Sequence, residues 1–164
     1  MPQSDRDYLL HVFKGNLDAV ALVLAIARVA DVWDNLIDAD KPVTKKDVND
    51  AFWTIASEIP RNPFYRAYMD DLLPVMETGI LNWHVATEME RNMGNSRGLE
   101  IAHVIRYSIA DVVLMVARIC GGPEWAVQHG PELRLRSQRS DFKEYVDSLC
   151  ESNFGQTKGE CRAR

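Results

Sequence analysis

The chain is poor in cysteine and has no long hydrophobic run. Its 164 residues include three cysteines, none with the CxxC or Cys/His spacing of a zinc site. A small, odd number of cysteines predicts free thiols in a reducing compartment. No charge-free apolar run reaches the roughly 20 residues of a membrane span, and the polar, acidic N-terminus is unlike a secretory signal. We therefore expect a soluble, cytoplasmic protein.

Positive charge is scarce as well. The chain carries 19 basic and 24 acidic residues, which gives a formal net charge of −5. Binding to nucleic acids or to anionic membranes usually needs a basic field, so neither is an expected partner. The motifs GxGxxG, GxxxxGK[ST], GxSxG and HExxH are missing too. Their absence argues against hydride transfer, P-loop chemistry and serine hydrolysis.

Helical periodicity, by contrast, runs through the whole sequence. Apolar residues recur near every 3.6 positions, without useful period-two alternation. This predicts an all-α, single-domain bundle of about six to seven helices, two of them central and strongly buried. We expect the domain to cover residues 1–150, followed by a polar, frayed tail at 151–164. The predicted helices lie at 5–14, 16–40, 44–59, 64–93 with a kink or division at Pro74, 99–120, from 124 onward, and 141–150, with a prolyl connector at 60–63.

The long helix predicted at 16–40 is apolar at first and acidic at its far end. Asp31, Asp34 and Asp38 are spaced i, i+3, i+7 and share one face. Like charges at this spacing repel, and anions near a helix C-terminus oppose its dipole. We therefore expect a cation to compensate them, either a metal ion or a basic partner. The structural alternative pairs Arg28 with Asp31 and leaves Asp34 and Asp38 in water at the mouth of the bundle.

Two further helices carry polar residues at same-face spacing. His84 and Glu88 stand at i, i+4, a spacing that suits metal binding or proton transfer and is also common on solvated helix surfaces. Glu100 and His103 match half of a carboxylate-bridged di-iron motif, but the sequence has no second ExxH. These residues are secondary candidates for a site.

Asp111 lies inside an otherwise apolar run, where a charge is costly unless it is paired. Tyr107 is one helical turn back and Arg118 lies further along the same predicted helix. A residue on a neighbouring helix is an equal candidate for the partner. Asp111 therefore either forms a structural hydrogen bond or has a catalytic role.

Two segments carry a family resemblance. The run Asp34-Asn35-Leu36-Ile37-Asp38 resembles the first aspartate-rich motif of the squalene and phytoene synthase family, and residues 106–115 are similar to its tyrosine-containing helix. Residues 130–141 then correspond to the segment that bears the second aspartate motif. This chain has Asn35 where the family's DDxxD has an aspartate, and it is shorter than family members.

The resemblance implies a helical bundle that binds a prenyl diphosphate through Mg²⁺. In that family, the aspartate helix holds the metal against the diphosphate. The implied site residues are Asp34 and Asp38 for the metal, Arg136 or Arg139 for the diphosphate, and Asp141 with Glu144 as the carboxylates of the second motif. Asp31 on the same stripe is a further expected metal ligand, and Tyr107 and Asp111 are the candidate catalytic residues.

Two other functions fit the same residues. One is a small non-enzymatic interaction or adaptor protein, accessory or phage-like, whose acidic face recruits a basic protein partner or which forms a homo-oligomer. The other is an all-helical nucleotide pyrophosphohydrolase, although the expected ExxE and ExxD pairs are represented only by Asp31-x-x-Asp34 and Ser108-x-x-Asp111. The sequence leaves all three functions open.

Overall fold

A computed structural model describes residues 5–38, 41–91, 96–138 and 140–154 of the chain. Every regular element in these ranges is helical, so the predicted all-α bundle is confirmed. The elements are α1 (Asp5–Val12), α2 (Leu17–Asp38), α3 (Lys45–Trp53), a π-turn (Thr54–Glu58), α4 (Ile59–Arg61), α5 (Pro63–Glu90), α6 (Ser96–Arg106), α7 (Ile109–Gly121), α8 (Pro123–Ser137) and α9 (Phe142–Phe154). Within the described ranges, none of these helices combines the length and hydropathy needed to cross a membrane.

Local signals set several helix ends where the sequence predicts them. Asn16 caps α2, because its side-chain oxygen accepts a hydrogen bond from the backbone N–H of Ala19 at 3.0 Å. Thr44 and Asp47 form a reciprocal capping box at the start of α3. Gly122 ends α7 with a φ of 88°, a conformation that suits glycine.

The connector predicted at residues 60–63 is shorter than expected. Pro60 lies in the first turn of α4 and Pro63 in the first turn of α5, where the missing N–H of proline costs little. Asn62 alone separates these helices. Its Oδ1 accepts a hydrogen bond from the N–H of Tyr65 at 2.9 Å, and its Nδ2 donates to the carbonyl oxygen of Asp18 at 2.9 Å.

Two of the predicted helices are interrupted at positions that differ from the prediction. α5 continues through Pro74, and its non-helical backbone angles fall at Tyr68 instead. The helix predicted at 99–120 is divided at residues 107–108 into α6 and α7, and it starts earlier than predicted. At the division, the hydroxyl of Ser108 donates to the carbonyl oxygen of Ile105. Such a local bond competes with helical backbone pairing.

The core has two parts. The larger part joins α1, the N-terminal half of α2 and α7, and it includes the fully buried Val12, Phe13, Leu22 and Val116. The smaller part joins α5, α6 and α9 around Ala86, Ala102 and Tyr145. The acidic C-terminal half of α2 reaches the ends of α5 and α6, where the candidate site lies.

The cysteines differ from one another. Cys120 is a free, half-buried thiol, and burial raises its pKa. Cys150 is buried and disulfide-bonded, so the prediction of free thiols is wrong for this residue. Cys161 and the rest of the tail at 155–164 lie outside the described residues, whereas α9 itself runs to Phe154.

Candidate functional site: a buried arginine among carboxylates

Arg106 is the last residue of α6, and its side chain joins three helices. That side chain is 13% exposed. Its Nη2 donates to Asp34 Oδ1 at 3.2 Å and to Asp38 Oδ2, both on α2. Its Nη1 donates to both carboxylate oxygens of Glu90 on α5, each at 2.9 Å. We call these four residues the Arg106 cluster.

Tryptophans enclose one side of the Arg106 cluster. The indole N–H of the buried Trp83 donates to Asp34 Oδ1 at 2.8 Å, and the Arg106 guanidinium lies 5.3 Å from the centre of the Trp83 ring. Trp33 packs on Trp83 with the ring centroids 4.3 Å apart. These rings shield the charges from water, which strengthens their attraction.

Tyr145 extends the Arg106 cluster to a fourth helix. This buried residue of α9 donates its hydroxyl hydrogen to Glu90 Oε1. Burial, followed by the hydrogen bond and the negative charge of Glu90, raises the pKa of Tyr145 above its ordinary value of 10.0. The phenol is therefore a proton donor to the carboxylate well into the alkaline range.

The predicted need for a cation beside the acidic stripe is confirmed, and the cation is intramolecular. Arg106 pairs with Asp34 and Asp38 as well as with Glu90, so one guanidinium faces three carboxylates. The structural alternative differs from the observed pairs, because Arg28 pairs with Glu58 at 3.2 Å, and Asp34, although 41% exposed, and Asp38 both pair with Arg106. In the part of the chain that the structure describes, no group of three or more His, Cys, Asp or Glu side chains is arranged to hold a metal ion.

His84 and Glu88 lie apart from this network. The ring of His84 packs edge-on against Trp33 and Trp83, and Glu88 pairs with Arg91 on the surface. Both residues line an open groove of about 540 Å³ between α5 and α6. The other described lining residues are Val85, Met89, Arg97, Gly98 and Ile101. Neither Asp34 nor Asp38 lines this groove.

The remaining candidates lie on or directly beside α6 and α9, and their contacts hold these helices in place. His103 is buried and its Nε2 lies 3.1 Å from the carbonyl oxygen of Ser140. The hydroxyl of Tyr107 lies 3.2 Å from Ser140 Oγ. Asp141 and Glu144 form a reciprocal capping box at the start of α9. Their described contacts are structural.

Arg136, the described one of the two arginines expected to bind diphosphate, has intramolecular partners, and so has its neighbour Arg134. Arg134 of α8 pairs with Asp111, which confirms a neighbouring helix as the source of the partner. Arg136 donates to Glu132 at 2.7 Å and to Asp5 at 3.1 Å, and it lies over the ring of Tyr8. Arg139 lies outside the described residues. These contacts hold α8 to α7 and to α1, and none of them reaches Asp34 or Asp38.

Comparison of the chain with protein-family models, with curated proteins and with solved structures finds no match. The site is therefore interpreted from its geometry. Sequence reasoning missed Glu90 and Tyr145 and assigned no partner to Arg106. A usable signal was present in Arg106 itself, because an arginine that directly precedes a buried helix needs an acceptor within the fold.

Removing the central cation should destabilise the fold strongly. Arg106→Met removes the guanidinium that faces the buried carboxylate of Glu90. We therefore expect a loss of about 3–5 kcal/mol in the free energy of unfolding. The matched control is Arg134→Met, which breaks the half-exposed pair with Asp111 and should cost about 1 kcal/mol or less. Urea unfolding at pH 7 measures both, and equal losses would contradict a central role for Arg106.

Tyr145 should make the protein sensitive to alkali. Its pKa is higher in the folded chain than in the unfolded chain, so its contribution to stability is complete below pH 10 and is lost as the pH rises above that value. In Tyr145→Phe, the free energy of unfolding should start lower but fall less steeply between about pH 9.5 and 11.5. Urea titrations across this range measure the slopes, and identical slopes would refute the assignment.

Proposed function

We propose that this chain is a non-enzymatic helical interaction protein whose docking surface lies on α3 and the π-turn. The surface consists of Val48, Phe52, Trp53 and Ile55, and we call it the α3 face. The observation that carries the proposal is the exposure of two large aromatic side chains, Phe52 at 72% and Trp53 at 63%. Aromatic residues are enriched in protein interfaces.

The pattern of the α3 face is that of a helix with a missing neighbour. Val48, Phe52 and Ile55 recur at i, i+4, i+7, the spacing of residues that normally face a core. All three are exposed here, and none of the residues of α3 is buried. Apolar side chains grouped on a surface are typical of interaction sites, because burying them against a partner is favourable by about 25 cal/mol per Å².

The Arg106 cluster supports this choice of surface over the acidic stripe. Arg106 already forms ion pairs with Asp34 and Asp38, so a basic partner has to compete with a cation that is held in place within the fold. The α3 face has no such intramolecular cover among the described residues. Its helix is nevertheless well defined, because the capping box of Thr44 and Asp47 fixes its start.

Site-specific photo-crosslinking in cells tests the α3 face. A photoreactive phenylalanine analogue in place of Phe52 should give a discrete protein adduct at several-fold higher yield than the same analogue in place of Leu135. The two positions are equally exposed, each at 72%, but Leu135 lies on α8. Adding Trp53→Glu to the chain that carries the analogue at position 52 should reduce the adduct. Equally low yields at Phe52 and Leu135 would overturn the proposal.

A second candidate keeps the function implied by the family resemblance, namely Mg²⁺-dependent binding of a diphosphate. The observation that favours it is the side chain of Asp34, which is 41% exposed and shares its face with Asp31 and Asp38. Mg²⁺ prefers carboxylate oxygens, so these aspartates have suitable chemistry. To use Asp34 and Asp38, the ion has to displace the guanidinium of Arg106.

Thermal shift experiments separate this candidate from the interaction protein. For a diphosphate-binding protein, Mg²⁺ with a prenyl diphosphate should raise the melting temperature in a titratable way. Asp34→Asn with Asp38→Asn should abolish that rise, whereas Asp70→Asn with Asp71→Asn on α5 should not. Release of pyrophosphate from a nucleotide panel would favour a pyrophosphohydrolase instead. No shift, or a shift that survives the Asp34 and Asp38 substitutions, rejects the second candidate.

A further inference from the structure

A pocket of about 230 Å³ lies between α2, the π-turn and α4. We propose that it binds a small aliphatic carboxylate, with the anionic group held by two arginines and the aliphatic body packed on an apolar floor. The described residues that line the pocket come from all three elements and from Asn62. None of them belongs to the α3 face or to the Arg106 cluster, so this is a separate site.

The floor of the pocket consists of Ala21, Leu22, Ala25 and Ile59. Leu22 and Ile59 are buried, while Ala21 and Ala25 stand one turn apart on α2. Because the two alanines carry only a methyl group, the space that larger side chains would fill stays open. A water-sized group takes about 30 Å³, so 230 Å³ holds roughly seven or eight non-hydrogen atoms. The pocket therefore suits a small molecule with an apolar body.

Two arginines supply the polar part of the lining. Among the described residues, the side chain of Arg61 forms no ion pair and no hydrogen bond. Arg28 donates from Nη2 to Glu58 Oε2 at 3.2 Å, and its Nη1 and Nε have no acceptor among the described residues. A guanidinium presents its donors in a planar fork that matches a carboxylate. Two arginines and one glutamate leave a net charge of +1, which favours a ligand with one negative charge.

The π-turn keeps Glu58 engaged with other partners than Arg61. Oε2 of Glu58 accepts hydrogen bonds from Arg28 and from the hydroxyl of the buried Thr54, each at 3.2 Å. Residues three apart on a helix commonly form ion pairs, yet within the described residues Glu58 and Arg61 do not. The turn is wide here, because the N–H of Ile59 bonds to the carbonyl oxygen of Thr54, five residues back. Such π-turns are rare and recur at functional sites, which is an independent indication of a ligand site.

The exposure of the arginines sets the expected strength of binding. The side chains of Arg28 and Glu58 are 68% and 47% exposed, so water and salt screen their charges. A ligand of this size has few atoms with which to offset the entropy lost on binding. We therefore expect a dissociation constant of about 1–10 mM for isovalerate, a branched aliphatic carboxylate.

Chemical-shift titration of the full chain with isovalerate tests the proposal. The backbone amide signals of Ala21, Ala25 and Arg61 should shift and saturate. Isovaleramide has the same shape without the charge, and it should bind at least about tenfold more weakly. Acetate has the charge without the aliphatic body, and it should bind several-fold more weakly. Equal binding of acetate and isovalerate, or shifts that do not saturate, would indicate only general attraction of anions and would overturn the proposal.

Substitutions at exposed positions locate the ligand. Arg61→Gln should weaken isovalerate binding about tenfold, whereas Arg66→Gln on α5, outside the pocket lining, should leave it unchanged. Ala21→Leu should fill the pocket and abolish binding, and Ala67→Leu on α5 is its matched control. All four positions are exposed, so all four variants are expected to fold. If Arg61→Gln binds isovalerate as well as Arg66→Gln does, or if Ala21→Leu still binds it, the proposal is wrong.

Discussion

The contact between the Arg106 guanidinium and the carboxylates around it is the constraint on which the rest of this bundle depends. A buried charge is tolerable only where partners surround it, and here those partners come from different helices. Asp34 and Asp38 fix the end of α2, and Glu90 fixes the end of α5. Because hydrogen bonds have strict geometry, these helices have little freedom to slide or rotate relative to α6.

This arrangement changes the meaning of the acidic stripe. The same carboxylates that suggest a metal site in the sequence act as ligands for a side chain of the chain itself. Tyr145 adds a neutral donor to Glu90, and Trp83 adds one to Asp34. Because its carboxylates are paired within the fold, this end of the molecule holds α2, α5 and α6 together. The exposed apolar side chains on which the proposed function rests lie elsewhere, on α3 and the π-turn.

Local chemistry made much of the fold predictable, while distant pairings stayed hidden. The capping residue Asn16 and the terminating Gly122 act within one turn, so the sequence predicts their roles. Arg106 lies 72 positions after Asp34, and periodicity alone does not indicate which helices meet. For the same reason the sequence predicts that a cation lies beside Asp34 and Asp38, but it does not indicate that the cation is Arg106. The i, i+4, i+7 pattern of α3 predicts an amphipathic helix equally well whether its apolar side faces a core or a partner.

The junction at Asn62 shows how specific one amide can be. Its oxygen caps α5 while its nitrogen holds the start of α2, so the side chain has to present an acceptor and a donor together. Aspartate is an equally good cap by general preference, yet here its second oxygen would face the carbonyl oxygen of Asp18. Serine would cap too, but it is too short to span the gap. Aspartate has the right shape but lacks the donor, and serine lacks the reach, so neither replaces asparagine at this junction.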